Sequence, residues 1–310
     1  MDGLARPRRI VAIVNAAAGP GLPKARFMEI RQSLHSEPFG SAYLTLRRGH
    51  GEEWARTFRH EVGYIVFGGD GTLHEVVSGM DITSQSVSIV PTGTAISLGR
   101  DLGMPTLADA CGGIETARTG KVDLIAVILR RRDGTVRRCR AVASVAVGWP
   151  ARIAELAAKW ASDLGAAAYP AAAAVLGLRP PRFEVSVSVD GGRWARKTLT
   201  GLLAGNTRHV MTVPLFPDAD PCDGRMEVLE LSAGPARRVL HAVATAARVY
   251  LRLPVARAAV TPQLARRMSV LLPVARTVAV DGEQYSGVIR IELRVLRGGL
   301  RLFMPLGGEP

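Results

Sequence analysis

The strongest chemical signal in the sequence is the run Gly68-Gly69-Asp70-Gly71-Thr72-Leu73. Three glycines let a backbone approach an anion closely. The run follows an apolar stretch at 64–67 and opens residues 72–80, which read as a helix. A helix start offers free N–H groups and a positive dipole end, a setting that suits phosphate. Asp70 is the odd member, because a carboxylate repels a phosphate. It fits if it meets a cation, with magnesium bridging phosphate oxygens as the natural choice. The plainer alternative is a tight turn with an Asp helix cap. Neither GxxxxGK[ST] nor GxGxxG occurs, so this is not a Walker loop or an ordinary dinucleotide fingerprint. A second acidic group lies late in the chain, where Asp281 and Glu283 flank Gly282. Two apart on a strand, they would face the same side. A turn at Gly282, with solvated acids, is the alternative. A carboxylate so placed can accept a proton in acid–base chemistry.

These residues need elements to hold them. Short apolar runs at 9–15, 42–46, 64–67 and 86–90 read as buried strands. Between and after them, 50–61, 72–80, 95–102 and 107–118 read as helices. Strands alternating with helices predict a doubly wound parallel sheet. Gly68 and Gly69 would then stand at the carboxyl edge of that sheet, where such folds bind ligands. The pattern changes near Lys121. Strand-like runs dominate from there, paired around the turn at 132–135 and interrupted by an alanine-rich helical patch at 150–178 and a helix at 235–251. A run of strands predicts a β-sandwich-rich second domain. The expected division is 1–122 for an α/β domain, 123–290 for a β-rich domain, and 291–310 returning to the first. In the alanine-rich patch, Trp149, Trp160 and Leu176 would line an acyl groove, or the alanines simply pack helix on sheet.

Composition narrows the partners. The 310 residues are 22% charged and 47% hydrophobic, which excludes disorder. Three cysteines without a CxxC exclude a disulfide scaffold or a structural zinc module and fit a reducing cytosol. The net charge is +13, and all but four of the 40 basic residues are arginine. That balance suits an anionic partner, although a basic surface from genome bias is the bland reading. Aromatic residues are 5% and do not alternate with the basic clusters, so nucleic acid is not expected. The longest apolar stretch, 165–178, is too short to span a bilayer and contains Pro170. A cytoplasmic protein with peripheral attachment to anionic membrane is the expectation, and a homodimer is compatible with the sequence.

In chain order, several segments resemble the diacylglycerol kinase catalytic-domain family, which includes bacterial lipid kinases and sphingosine kinases. Asn15-Ala16-Ala17-Ala18-Gly19 resembles its first nucleotide loop NPxxG, and Thr45 with Gly49 its second-strand threonine and glycine. Gly68 to Leu73 is its GGDGT segment, Pro91-Thr92-Gly93-Thr94 its PxGT, and Val122-Asp123-Leu124 its VDL. Gly205-Asn206 and residues 217–224 resemble GN…PxAxxDDG, and Asp281-Gly282-Glu283 resembles DGE. The sequence departs from the family at Ala16, Pro20, Ile96-Ser97 and Cys222, the last two where relatives often carry acids.

The resemblance implies an ATP-dependent lipid kinase of two domains, with its active site in the cleft between them. ATP would contact Asn15, Ala16, Ala17, Ala18, Gly19, Thr45, Gly68, Gly69, Asp70, Gly71, Thr72, Leu73, His74, Gly93 and Thr94. Glu283 would accept the proton, with Asp281 beside it and Asp70 at the phosphates. An additional Mg2+ would fall on Asp220, Asp223 and Arg225, the first and last through backbone oxygens. The acceptor would be a hydroxyl of a diacylglycerol-like or long-chain-base-like lipid. The alternatives are a soluble alcohol or secondary metabolite on the same fold, or a catalytically impaired nucleotide- or lipid-binding protein.

Overall fold

The structure is a computed structural model, and it describes residues 9–15, 39–59, 62–92, 97–103, 118–177, 181–210, 215–232 and 262–304. The chain divides into two compact units, Met1–Asp123 with Arg297–Pro310, and Leu124–Leu296. The divisions therefore fall at 123/124 and 296/297, against 122 and 290 from the sequence.

The first unit is built on parallel strands. β1 (Arg9–Asn15) is central, pairing with β2 (Phe39–Thr45) on one side and β3 (Val62–Gly68) on the other. β4 (Ser86–Pro91) extends the sheet beyond β3. Ile10, Ala12, Val14, Ile65, Phe67 and Val90 form one buried cluster. Strands this continuously apolar belong to a sheet covered on its faces. Helix α1 (His50–Thr57) follows β2, and α2 (Asp70–Gly79) follows β3 after the single residue Gly69. α2 begins two residues earlier than its apolar pattern suggests, because Asp70 and Gly71 already form its first turn. A short helix, α3 (Ser97–Asp101), follows β4. The expected helices at 107–118 and 235–251 lie outside the described residues.

The second unit is antiparallel in all its described pairings. Its strands are β5 (Thr119–Arg131), β6 (Val136–Ala141), β7 (Ser144–Gly148), β8 (Phe183–Val189), β9 (Ala195–Gly205), β10 (Met226–Ser232), β11 (Gln263–Ala265), β12 (Arg267–Val280) and β13 (Glu283–Phe303). β5 and β13 also carry the chain between units, and Arg301 and Leu302 of β13 pair in parallel with Ser86 and Val87 of β4 in the first unit. The strands do not form the two separate sheets of the expected sandwich. β9 pairs with β8 through residues 195–199 and with β7 through 201–205. β12 likewise pairs with β8 through 268–271 and with β7 through 278–280. Two long strands thus join β7 and β8 at both ends, so the network curls around one core. A register shift between Leu271 and Arg276 lets β12 turn that corner. The core includes Val127, Val145, Phe183, Val187, Leu202, Met226, Met268, Val280 and Ile291.

Helices α4 (Trp149–Leu164) and α5 (Ala168–Gly177) follow β7, joined by a single 3-10 turn. Ala157, Ala168 and Ala172 are buried against Ile153, Leu156, Trp160 and Tyr169. The alanines therefore let the two helices pack closely, with Trp160 against them.

Candidate active site

The first unit gathers its chemistry at the carboxyl edge of its sheet. Asn15 ends β1 and is the register partner of Thr45, which ends β2. Gly68 ends β3 and is the register partner of Pro91 at the end of β4. Parallel strands of matched length finish together, so residues far apart in sequence meet on one rim. The Asn15 side-chain amide donates to Thr72 Oγ1 at 2.9 Å, fastening the β1 end to the first turn of α2. Gly68 has no alternative at its position: a Cβ there would lie 2.5 Å from Thr72 Oγ1. Beyond it, the first N–H groups of α2 have no intrahelical acceptor by helix geometry. This rim can receive an anion. Ala16, Ala17, Ala18, Gly19, Gly93 and Thr94 lie outside the described residues. Leu73 and His74 are buried in α2, and the Leu73 N–H closes the first helical turn on the Gly69 carbonyl at 3.1 Å.

Asp70 is 5% exposed, and it is occupied differently from the expectation. The backbone N–H of Ser97 donates to both its oxygens, at 2.9 and 3.0 Å, and the Ser97 hydroxyl donates to Oδ2 at 2.7 Å. Asp70 thus fastens α2 to the start of α3, which follows the PxGT motif in the sequence. Ser97, read from sequence as a lost acid, is a donor to the acid that remains. A neutral hydroxyl suits that place, since a second buried carboxylate would repel Asp70.

Sequence reasoning missed Glu75. Its carboxylate accepts the N–H of Gly49 at 2.5 Å and of Gly51 at 2.9 Å, both at the start of α1. Gly49 holds φ of +80° and, as an N-cap, has no side chain to offer the helix. A cap without a side chain needs an acceptor from elsewhere. That requirement, with an acid one turn into α2, was the available signal.

In the second unit the DGE segment is a β-hairpin turn, so the two acids do not share a strand face. Asp281 and Gly282 carry φ of +49° and +90° between β12 and β13. Two successive positive φ values are the mark of the primed turn that Asp-Gly favours. Asp281 is buried, and its carboxylate accepts the N–H groups of Val142, Ala143 and Ser144, each at 2.8 Å. Its own N–H donates to the Ser144 carbonyl at 2.9 Å. The buried Asn206 of the GN pair braces the same loop, its N–H donating to the Ala143 carbonyl at 2.9 Å. Asp281 is therefore a positioning residue. Glu283 opens β13 half-buried, one residue past the turn. Its neighbour on the same strand face, Tyr285, has a phenol held above its ordinary value by burial, with the Cys139 and Glu283 charges adding to the shift.

Asp220 and Asp223 are exposed, and each accepts a backbone N–H within its own loop. Cys222 N–H reaches Asp220 Oδ1 at 2.9 Å, and Arg225 N–H reaches Asp223 Oδ1 at 2.8 Å. Among the described residues no group of three or more His, Cys, Asp or Glu side chains comes together to hold a metal ion. With Asp70 committed to Ser97, these residues do not by themselves build an Mg2+ cage. Glu227, two residues beyond Arg225, is buried and its carboxyl is pushed up to about 7, mainly by burial, with Asp223 and Asp220 adding to the shift.

The model of the diacylglycerol kinase catalytic domain family matches residues 9–127. That part of the chain is similar to the family's catalytic domain. The similarity supports a kinase, and so a transferase. A diacylglycerol kinase of Staphylococcus carnosus is 25% identical over 309 residues, spanning 96% of this chain and 95% of the relative. A crystal structure of a diacylglycerol kinase from Bacillus anthracis superposes with a TM-score of 0.71 at 20% identity, covering 96% of this chain and 97% of that one. Yeast NADH kinase, solved with NADH, gives 0.54 at 12% identity, covering 96% and 83%. These structures share the mixed α/β fold. The match to the kinase domain contains the Asn15, Thr45 and Gly68 rim and the Asp70–Ser97 contact. Among the described residues, no helix is long and apolar enough to cross a membrane.

Proposed function

We propose that the protein transfers the γ-phosphoryl group of ATP to a hydroxyl of a diacylglycerol-like or long-chain-base-like lipid. The observation that carries this reading is the rim of the first unit. Asn15, Thr45 and Gly68 end three adjacent parallel strands, and the glycine run passes directly into α2. Backbone N–H groups at that helix start would receive nucleotide phosphate. Thr72 is held by Asn15 and Asp70 by Ser97, so the loop is fixed before nucleotide arrives. Phosphoryl transfer depends mainly on such positioning and on charge stabilisation. A divalent cation, when bound with the nucleotide, would neutralise phosphate charge.

Glu283 is the proposed proton acceptor. The Asp281 turn fixes the strand start from which its side chain projects. Its carboxylate would take the hydroxyl proton as the oxygen attacks phosphorus, and the ADP oxygen leaves with the bond electrons. Asp281 contributes by holding the turn, since three backbone amides already occupy its carboxylate.

The test is incubation with γ-labelled ATP and Mg2+ against two panels, one of diacylglycerols and long-chain bases, the other of soluble alcohols. Label in a lipid product is the expected result. Label only in a soluble product would overturn the acceptor class, and no transfer to any acceptor despite ATP binding would overturn the kinase reading.

A further inference from the structure

In the second unit an open pocket of about 560 Å³ is lined by Asp190, Gly191, Arg225, Leu264, Arg266 and Arg267, together with the buried Ala265. Arg225, Arg266 and Arg267 are all exposed, and among the described residues none of their guanidinium groups has an ion-pair partner. The single acid in the lining is partly committed. Asp190 Oδ1 accepts the backbone N–H groups of Arg266 and Arg267, each at 2.8 Å. That contact turns the Asp190 carboxylate onto the backbone and leaves the two arginine side chains to project from a fixed strand start. Three guanidinium groups against one carboxylate leave a net positive pocket with planar donors suited to phosphate oxygens.

One exposed apolar side chain belongs to the lining, and a second lies in the β8–β9 connection that begins with the lining residues Asp190 and Gly191. Leu264, in the lining, is 45% exposed, and Trp194, in the connection that follows Asp190-Gly191, is 48% exposed. Exposed Trp and Leu beside arginines is the composition of a surface that rests at a bilayer interface. We propose that this pocket binds the phosphate of an anionic phospholipid headgroup and docks the second unit on the membrane, with Trp194 and Leu264 entering the headgroup layer. The site is separate from the residues assigned to phosphoryl transfer, apart from the loop residue Arg225. It is read without nucleotide, so its failure and the failure of the kinase reading are distinguishable.

The experiment is flotation of the full chain, without ATP, on phosphatidylcholine vesicles with and without phosphatidylglycerol. The double variant R266Q/R267Q keeps both backbone N–H groups that Asp190 uses, so its melting temperature should match wild type. At about fivefold per charge near an anionic surface, its partition onto anionic vesicles should fall on the order of 25-fold. R132Q/R138Q removes the same charge from exposed positions on the β5–β6 hairpin and should change binding by less than about threefold. W194S should remove the binding that survives high salt. Equal losses in both double variants, or equal binding of wild type to neutral vesicles, would overturn the proposal. Binding of inorganic phosphate that depends on Arg266 and Arg267, without vesicle binding, would assign the pocket to a soluble anion and overturn the lipid assignment.

Discussion

Two Asp-Gly turns of the second unit have nearly the same backbone and serve different ends. Asp190-Gly191 joins β8 to β9 with φ of +49° and +78°, and Asp281-Gly282 joins β12 to β13 with +49° and +90°. In each, the carboxylate grips backbone N–H groups of another segment: Arg266 and Arg267 for Asp190, Val142 to Ser144 for Asp281. The first grip is exposed and uses one oxygen. The second is buried, uses both oxygens, and is followed by Glu283 where the first is followed by Gly192. The aspartate of DGE is thus doing what an ordinary hairpin aspartate does in a drier place. What distinguishes the second turn chemically is the glutamate.

The largest expected effect comes from removing the buried grip. Asp281→Ala leaves three buried N–H groups without their charged acceptor and should cost about 3–5 kcal/mol in denaturant unfolding. Asp190→Ala, at an exposed residue, should cost about 1 kcal/mol or less. Equal costs would break the comparison. Asp70 uses the same device in the first unit, with Ser97 supplying a backbone and a hydroxyl donor. Asp70→Asn should cost about 1–3 kcal/mol and should also lower activity, because it loosens α2 where phosphate is proposed to bind. Ser97→Ala, which keeps the backbone donor, should cost about 1 kcal/mol. A double-mutant cycle showing no coupling between them would contradict the contact.

Much of this was readable in the sequence, for local reasons. β1, β3 and β4 are continuous apolar runs, and the glycine pair after β3 marks where the sheet edge must be. Asp-Gly announces a hairpin turn as plainly as it announces a catalytic acid, and the strand-face argument for Asp281 and Glu283 fails because the turn takes the first of them. The partners of the acids were not readable. Asp281 meets amides 137–139 residues away, and Asp70 meets Ser97 across 27. Short-range pattern carries no signal for such contacts. The same limit hid Glu75, whose acceptor role is defined only once α1 packs on α2. It also hid the curl of the second unit, since β12 reads as two runs, 268–272 and 277–280, separated by Pro273 and Arg276.

A smaller effect follows from a buried acid that sits beside two other carboxylates. Glu227 has its carboxyl raised to about 7, mostly by burial. A raised carboxyl favours the protonated folded form. Its stabilising contribution is complete below about pH 4.5, the ordinary value, and is lost as pH rises through about 7. In metal-free buffer, Glu227→Gln should therefore raise the melting temperature more at pH 8 than at pH 5. The same increment at both pH values would show that Glu227 does not titrate in that window.

The most direct test of the division between grip and chemistry is Glu283→Gln. The substitution keeps the shape of the side chain, leaves the Asp281 cradle untouched and removes the proposed proton acceptor. Turnover with the lipid acceptor found in the labelled-ATP assay should fall by roughly 10²–10⁴-fold, while ATP affinity and unfolding midpoint stay at wild-type values. Near-normal turnover, or a large loss of ATP binding or stability in its place, would contradict the assignment of Glu283 as the chemical member of the pair.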